Sequence, residues 1–300
     1  MSLITLGTVA LDNVKTESGD KRELMGGSAA HFAMGARLFT KVHLVSVIGE
    51  DFPARHIQLL RRKGINLDSL TESGGKTFQW HGEYRKGDYN KAITLSTELG
   101  VLSNYVPQVA LHQLNIPNVF LANLGPDTQL KFLKLMRNPK FVGLDSMNLW
   151  INTMRQDLLE VIKKADLFVL NDGEAGMLTE ETNLIKAAKK LRKMGPRLVV
   201  IKKGEHGVLF YCDRFMFAFP AYPVSHVVDP TGAGDTFAGG LMGYLSRAGK
   251  ITEPDLRKAV IYATTLASFN VEGFGVARTS CLTMAQVNAR MNRLKKFIAP

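Results

Sequence analysis

Cysteine is nearly absent: the 300 residues hold two, Cys212 and Cys281. Two cysteines so far apart give neither a disulfide framework nor zinc-ligand spacing. A reducing compartment is the simplest reading, so a cytoplasmic protein is expected. No apolar run approaches the roughly eighteen residues of a membrane-crossing helix. The opening Met1–Thr5 has no basic stretch before an apolar core, and no secretory leader is expected. Several common motifs are missing too. There is no Gly-x-x-x-x-Gly-Lys-[Ser/Thr], which excludes a P-loop kinase. No Gly-x-Gly-x-x-Gly follows the first apolar run, which argues against a dinucleotide-dependent dehydrogenase. No His-Glu-x-x-His suggests a zinc hydrolase. Internal repeats, low-complexity tracts and linkers are also missing.

What remains is ordinary globular composition, with 45% hydrophobic and 22% charged residues. A chain of this size buries roughly three quarters of its unfolded surface and needs no covalent staple. Lys and Arg number 38 against 27 Asp and Glu, a net charge of +11. Such a chain attracts anions. The basic clusters Arg61–Lys63, Lys189–Lys193 and Arg293–Lys296 lie on separate amphipathic stretches. They read as solvated helix faces, and no nucleic-acid partner is expected.

Short apolar runs recur at Leu3–Thr8, Val42–Ile48, Asn118–Ala122, Phe141–Asp145, Leu167–Asn171, Leu198–Lys202 and Val208–Tyr211. Between most of them lie stretches with helical spacing, such as Ala54–Lys63, Gln129–Met136, Arg155–Lys164 and Ile185–Met194. The alternation predicts an α/β fold: a mostly parallel sheet with helices on both faces. The C-terminal third predicts helices over Thr236–Arg247, Glu253–Asn270 and Thr283–Phe297. Thr77–Leu95 breaks the pattern. Phe78 and Trp80 alternate with Thr77, Gln79 and His81, then a polar turn leads to Ala92–Leu95. This predicts a hairpin outside the main sheet, joined by the polar segment Asn13–Glu23. A small β layer on an α/β core suits a lid. Phe78, Trp80 and Tyr84 on it could stack on a base or a sugar face, or pack against the core or a second copy.

The most informative segment is Val228–Gly240, Val-Asp-Pro-Thr-Gly-Ala-Gly-Asp-Thr-Phe-Ala-Gly-Gly. A Gly-Ala-Gly turn opens directly into a helix. Glycines allow close backbone approach, and the unpaired N–H groups of a helix start attract anions. A carboxylate at Asp235 could take a hydroxyl proton while those N–H groups stabilise a phosphoryl group. A plain N-cap aspartate after a tight turn fits the local chemistry equally well.

Asp229–Asp235 resembles the C-terminal signature of the ribokinase (PfkB) carbohydrate kinase family, Asp-Thr-x-Gly-Ala-Gly-Asp, with Pro230 at the second position. Gly26–Ala33, Val47–Asp51, Asn171-Asp172-Gly173-Glu174 and Ile201–Gly207 are similar to further family motifs. They occur in the family order and span nearly the whole chain. The resemblance implies a ribokinase-like three-layer core with a mostly parallel central sheet and a small β lid. It implies one domain over 1–300, with the lid from about 12–24 and 76–97.

It also implies roles. Asp235 becomes the catalytic base, with Gly232, Ala233 and Gly234 as the anion hole. Asn171, Lys202, Gly204, Gly207 and Thr264 fall at nucleotide positions, for ATP. Glu174 falls where Mg²⁺ is held through water. Asp229, with the carbonyls of Thr231, Asn270, Gly273 and Gly275, falls at a monovalent-cation site, for K⁺. Asp12, Gly26, Gly27 and His31 fall around the acceptor, and Asn123 follows a central strand where a third acceptor contact sits. His31 replaces the family's usual Asn, which argues against ribose as acceptor. Lid edges in this family often pair between subunits, so the resemblance makes a homodimer through the lid a possible assembly.

The leading reading is therefore an ATP-dependent kinase acting on a hydroxymethyl group of a small sugar. A nucleoside kinase with an adenosine-like acceptor is the alternative within the fold. A non-catalytic nucleotide- or sugar-binding protein is the alternative of another class.

Overall fold

In this computed structural model, residues 1–248 and 251–298 are described. The apolar runs become strands: β1 (Ser2–Leu6), β2 (Ala10–Thr16), β3 (Gly19–Gly26), β4 (Lys41–Gly49), β5 (Asn66–Ser73), β6 (Gln79–Arg85) and β7 (Asp88–Glu98). Then follow β8 (Asn118–Leu121), β9 (Phe141–Asp145), β10 (Leu167–Asn171), β11 (Leu198–Lys202), β12 (Val208–Tyr211) and β13 (Met216–Phe219). Nine of them form one sheet in the order β13-β12-β11-β10-β9-β8-β1-β4-β5. Every pairing from β11 to β5 is parallel, and β12 runs antiparallel to both of its neighbours.

Alternate residues of each central strand feed opposite faces, as a sheet buried on both sides requires. Leu3, Leu44 and Phe120 pack with Phe32, Leu241 and Val260 from the helices Ser28–Ala36, Ala233–Leu245 and Glu253–Asn270. Ile4, Val45 and Leu121 pack on the other side with Phe132, Leu158, Leu178 and Leu191. Those come from the helices Pro126–Leu135, Arg155–Ile162, Asp172–Thr179 and Leu184–Lys193. The result is three layers, as the alternation predicts. One contact sets the site directly. A Cβ on Gly239 would lie 2.1 Å from the Phe32 carbonyl oxygen. Only glycine lets helix Ala233–Leu245 sit this close to helix Ser28–Ala36.

The remaining strands form a second sheet, β3-β2-β6-β7. Here β2 runs antiparallel to β3 and parallel to β6, and β6 runs antiparallel to β7. Asp12, Trp80, Gly82 and Tyr84 share one face by register and alternation, and Tyr84 carries that face onto the core. Three elements differ from the sequence reading. β5 and β13 are edge strands too polar or too short to stand out as apolar runs. β7 runs on to Glu98, well beyond Leu95. Among the described residues, no helix is long and apolar enough to cross a membrane.

Candidate active site

Parallel strands deliver their last residues to one edge of the sheet, where ligands of open α/β folds bind. Asp145 ends β9, Asn171 ends β10 and Lys202 ends β11. Asn171 and Lys202 are register partners. Helix Ala233–Leu245 starts against this edge, and the lid strands β2 and β6 meet the same loop.

The helix start is Gly232, whose φ of 73° places it in the left-handed region. A side chain there is excluded twice, because a Cβ would also lie 2.2 Å from the His31 ring. Gly232 is thus the N-cap, and Asp235 is the third residue of the helix rather than its cap. Ala233 N–H donates to the Pro230 carbonyl at 3.2 Å. Among the described residues, no protein acceptor takes the N–H of Gly232 or Gly234. Those two amides are the open donors of the Gly232–Gly234 turn.

Lys202 lies against this turn. Its Nζ donates to Asp145 Oδ2 at 2.9 Å and lies 3.0 Å from where a Gly234 Cβ would be. Burial pushes the Asp235 carboxyl up to about 7, with the Asp145 carboxylate adding and Lys202 opposing. Burial also pushes Glu174 up to about 7, against the pull of Lys202. Burial works against the Lys202 ammonium, but Asp145 and Glu174 outweigh it and hold its pKa above the ordinary lysine value. Asn171 and Glu174 form a reciprocal capping box: Asn171 Oδ1 accepts from Glu174 N–H and Glu174 Oε2 from Asn171 N–H, each at 2.8 Å. One Glu174 oxygen is thus used by the helix start.

The loop before Gly232 is held from within. Buried Asp229 accepts from Thr231 N–H at 2.8 Å and from Gly275 N–H at 2.9 Å. Asn270 Nδ2 donates to the Thr231 carbonyl at 2.7 Å. Its Oδ1 accepts from Thr236 Oγ1 at 2.9 Å and lies 3.1 Å from His31 Nδ1. With Asn270 oriented this way, His31 carries its proton on Nδ1. Burial lowers its pKa against the pull of Asp229 and Asn270, and its buried Nε2 has no protein partner among the described residues. Gly273 N–H closes on the Asn270 carbonyl at 3.3 Å. Asp229, Thr231, Asn270, Gly273 and Gly275 therefore do meet, in a loop already closed by its own hydrogen bonds.

Asp12 is buried at the lid base. Burial pushes its carboxyl up to about 7; a hydrogen bond from Gly27 N–H opposes this, and Asp229 and Asp235 add to it. Gly26 makes room for it, because a Cβ there would overlap the Asp12 carboxyl, whereas a Cβ on Gly27 would lie 2.5 Å from the Thr8 carbonyl oxygen. Tyr84 brings the lid to the loop, its OH 3.3 Å from Thr231 Oγ1, and Thr16 Oγ1 donates to the Val228 carbonyl at 2.8 Å. Trp80 lies across the glycine backbone at Gly82, with Nε1 donating to Thr94 Oγ1 at 3.1 Å.

Gly204 and Gly207 bound a short turn with φ of 55° and 86°. From the lid, Asn90 packs on Gly204 and hydrogen-bonds Glu205. Thr264 is buried in helix Glu253–Asn270. Asn123 follows β8. Its amide is taken by Trp150 Nε1 at 2.8 Å and faces Met147 Sδ at 3.0 Å, although its carbonyl accepts from Ser28 Oγ at 2.9 Å. Sequence reasoning does not single out Asp145 or Asn90. A carboxylate ending an apolar parallel strand is the available signal for Asp145.

The titration of Asp12 has a stability consequence. The folded state holds this proton from the ordinary value of 3.8 up to about 7, whereas the unfolded chain releases it near 3.8. Its contribution to stability therefore falls as pH rises through that window, by about 4 kcal/mol at most. Asp12→Asn is expected to raise the melting temperature more at pH 8 than at pH 5. Equal shifts in thermal melts at the two pH values would contradict this.

The profile of the pfkB family carbohydrate kinases matches residues 4–282. The chain belongs to that family. Its fold is ribokinase-like and its class of activity is that of a kinase. The cytidine kinase of Thermococcus kodakarensis is 32% identical over 84% of this chain and 91% of that protein. Among solved structures, the nucleoside kinase of Burkholderia thailandensis in complex with inosine superposes with a TM-score of 0.78. It shows 19% identity and covers 97% of this chain and 98% of its own. The aminoimidazole riboside kinase of Salmonella enterica, complexed with aminoimidazole riboside and an ATP analogue, gives a TM-score of 0.75. Its identity is also 19%, over 97% of this chain and 100% of its own.

Proposed function

We propose that this protein transfers the γ-phosphoryl group of ATP to a hydroxymethyl group of a nucleoside. The observation that carries the reading is the pairing of Asp235 with the open Gly232 and Gly234 amides at a helix start, beneath a lid face bearing Asp12 and Trp80. Asp235 takes the hydroxyl proton, and the amides meet the charge on the phosphoryl oxygens. Asp12 accepts from sugar hydroxyls, which a carboxylate does in pairs. The unpartnered Nε2 of His31 is a further acceptor on the same side. Asn171, Lys202, Gly204, Gly207 and Thr264 form the nucleotide side.

Mg²⁺ fits the donor set sparingly, as it does where phosphates supply most ligands. Glu174 would hold it through water, and the ion would neutralise charge on the phosphates. Asp229 accepts from the Thr231 and Gly275 N–H groups, and K⁺ would be held beside it by the Thr231, Asn270, Gly273 and Gly275 carbonyls.

A free sugar is the leading acceptor on sequence alone. Two things support a nucleoside instead: the cytidine kinase relative over most of both chains, and an indole at the register partner of Asp12 on the same lid face, a ring suited to a base. The test is equilibrium binding followed by tryptophan fluorescence, with nucleosides against free ribose and deoxyribose. Nucleosides are expected to bind at least tenfold tighter, with the difference reduced in Trp80→Leu. Equal binding of ribose and nucleoside would return the reading to a sugar kinase.

A further inference from the structure

The phosphoryl-transfer reading gives Lys202 a place on the nucleotide side but no chemical step, although its side chain is only 18% exposed. Lys202 is surrounded by three carboxylates, from Asp145, Glu174 and Asp235. Only Asp145 bonds it directly, and that carboxylate is itself buried, its Oδ1 accepting from Ser146 N–H at 2.9 Å. A buried ion pair seldom adds stability over an apolar pair of similar size, so stability alone does not account for it. Position does. The ammonium abuts Gly234, beside the two open amides, at the end of a strand whose neighbour supplies Asn171.

We propose that Lys202 is a catalytic residue that binds the transferring phosphoryl group, and that Asp145 is the positioning residue that holds its ammonium beside the Gly232 and Gly234 amides. This rests on the kinase reading and adds a second source of positive charge to it. In the step, the acceptor oxygen forms a bond to the γ-phosphorus. The bond from γ-phosphorus to the β–γ bridging oxygen breaks, and its electron pair leaves with ADP. The hydroxyl proton passes to Asp235. The ammonium turns from Asp145 Oδ2 to an equatorial phosphoryl oxygen and keeps all its protons. A positively charged donor at this point matches the charge carried by those oxygens.

Two variants separate catalysis from packing. Lys202→Met leaves Asp145 buried and unpaired, so lost activity alone would be ambiguous. The double variant Lys202→Met/Asp145→Asn removes both charges at nearly constant volume. The expected result is a melting temperature near wild type in the double variant, with kcat still at least 100-fold low and the acceptor KM within threefold. Recovery of kcat to within threefold of wild type in the double variant would overturn the proposal. Titration calorimetry with Mg·AMPPNP and with AMP gives a readout independent of turnover. AMPPNP is expected to bind the double variant at least tenfold more weakly, with AMP unchanged. Unchanged AMPPNP affinity would overturn the proposal, whereas a wild-type protein that binds AMPPNP but releases no ADP with any acceptor would overturn the kinase reading.

Discussion

Asp235→Asn is expected to lower turnover by about 10²–10⁴-fold, or roughly 3–5 kcal/mol of barrier. The amide keeps the shape and removes the base. The fold should survive, because Asp235 is not the helix cap and its burial opposes ionisation. Melting temperature at pH 8 should equal or exceed that of wild type. In the wild-type protein the base works only when ionised, so kcat/KM should rise with pH up to about 7 and fall as pH drops below it. The variant's residual activity should lack that limb. Near-normal turnover in Asp235→Asn would contradict the assignment.

Asp229→Ala should be the most damaging change to the loop itself. It leaves the part-buried N–H of Thr231 and the buried N–H of Gly275 without their acceptor. Each such group costs about 1–3 kcal/mol, so a loss of about 2–6 kcal/mol is expected. For a chain this long, that corresponds to a drop of very roughly 5–20 °C in melting temperature. Activity should fall with it, because Thr231 and Gly232 place the open amides. Asp229→Asn retains one acceptor oxygen and should cost about half as much. Thermal melts of the two variants test this, and an unchanged melting temperature in Asp229→Ala would contradict it.

How far the sequence announces all this depends on the element. Central strands such as Leu167–Asn171 are legible because burial on both faces demands unbroken apolar runs. β5 reads Asn-Leu-Asp-Ser-Leu-Thr-Glu-Ser and hides, because an edge strand half covered by helix carries polar residues. The lid hairpin is visible through the alternation around Trp80, but its second strand is mostly exposed and its length is set by pairing with β6. The glycine turn at Gly232–Gly234 declares an anion site by itself. What stays hidden is what distant segments do to one another. The motif around Lys202 marks it for the nucleotide, but nothing in the sequence shows that β9 brings Asp145 to its ammonium. His31 carries no sign that Asn270, 239 positions later, will fix its tautomer. Asn123 sits at the right end of a strand, yet Trp150 claims its amide, and the short helix carrying that indole has no periodicity to reveal it.

The central claim is phosphoryl transfer to a nucleoside hydroxymethyl group. It is tested most directly by ADP release from Mg·ATP, with K⁺ present, against a panel of nucleosides, pentoses, hexoses and sugar acids. The phosphorylated product is located by phosphorus NMR, and Asp235→Asn is run alongside. The predicted result is turnover with a nucleoside, a product phosphorylated on its hydroxymethyl oxygen, and loss of that product in the variant. Turnover confined to free sugars, or a nucleoside product formed equally well by the variant, would contradict it.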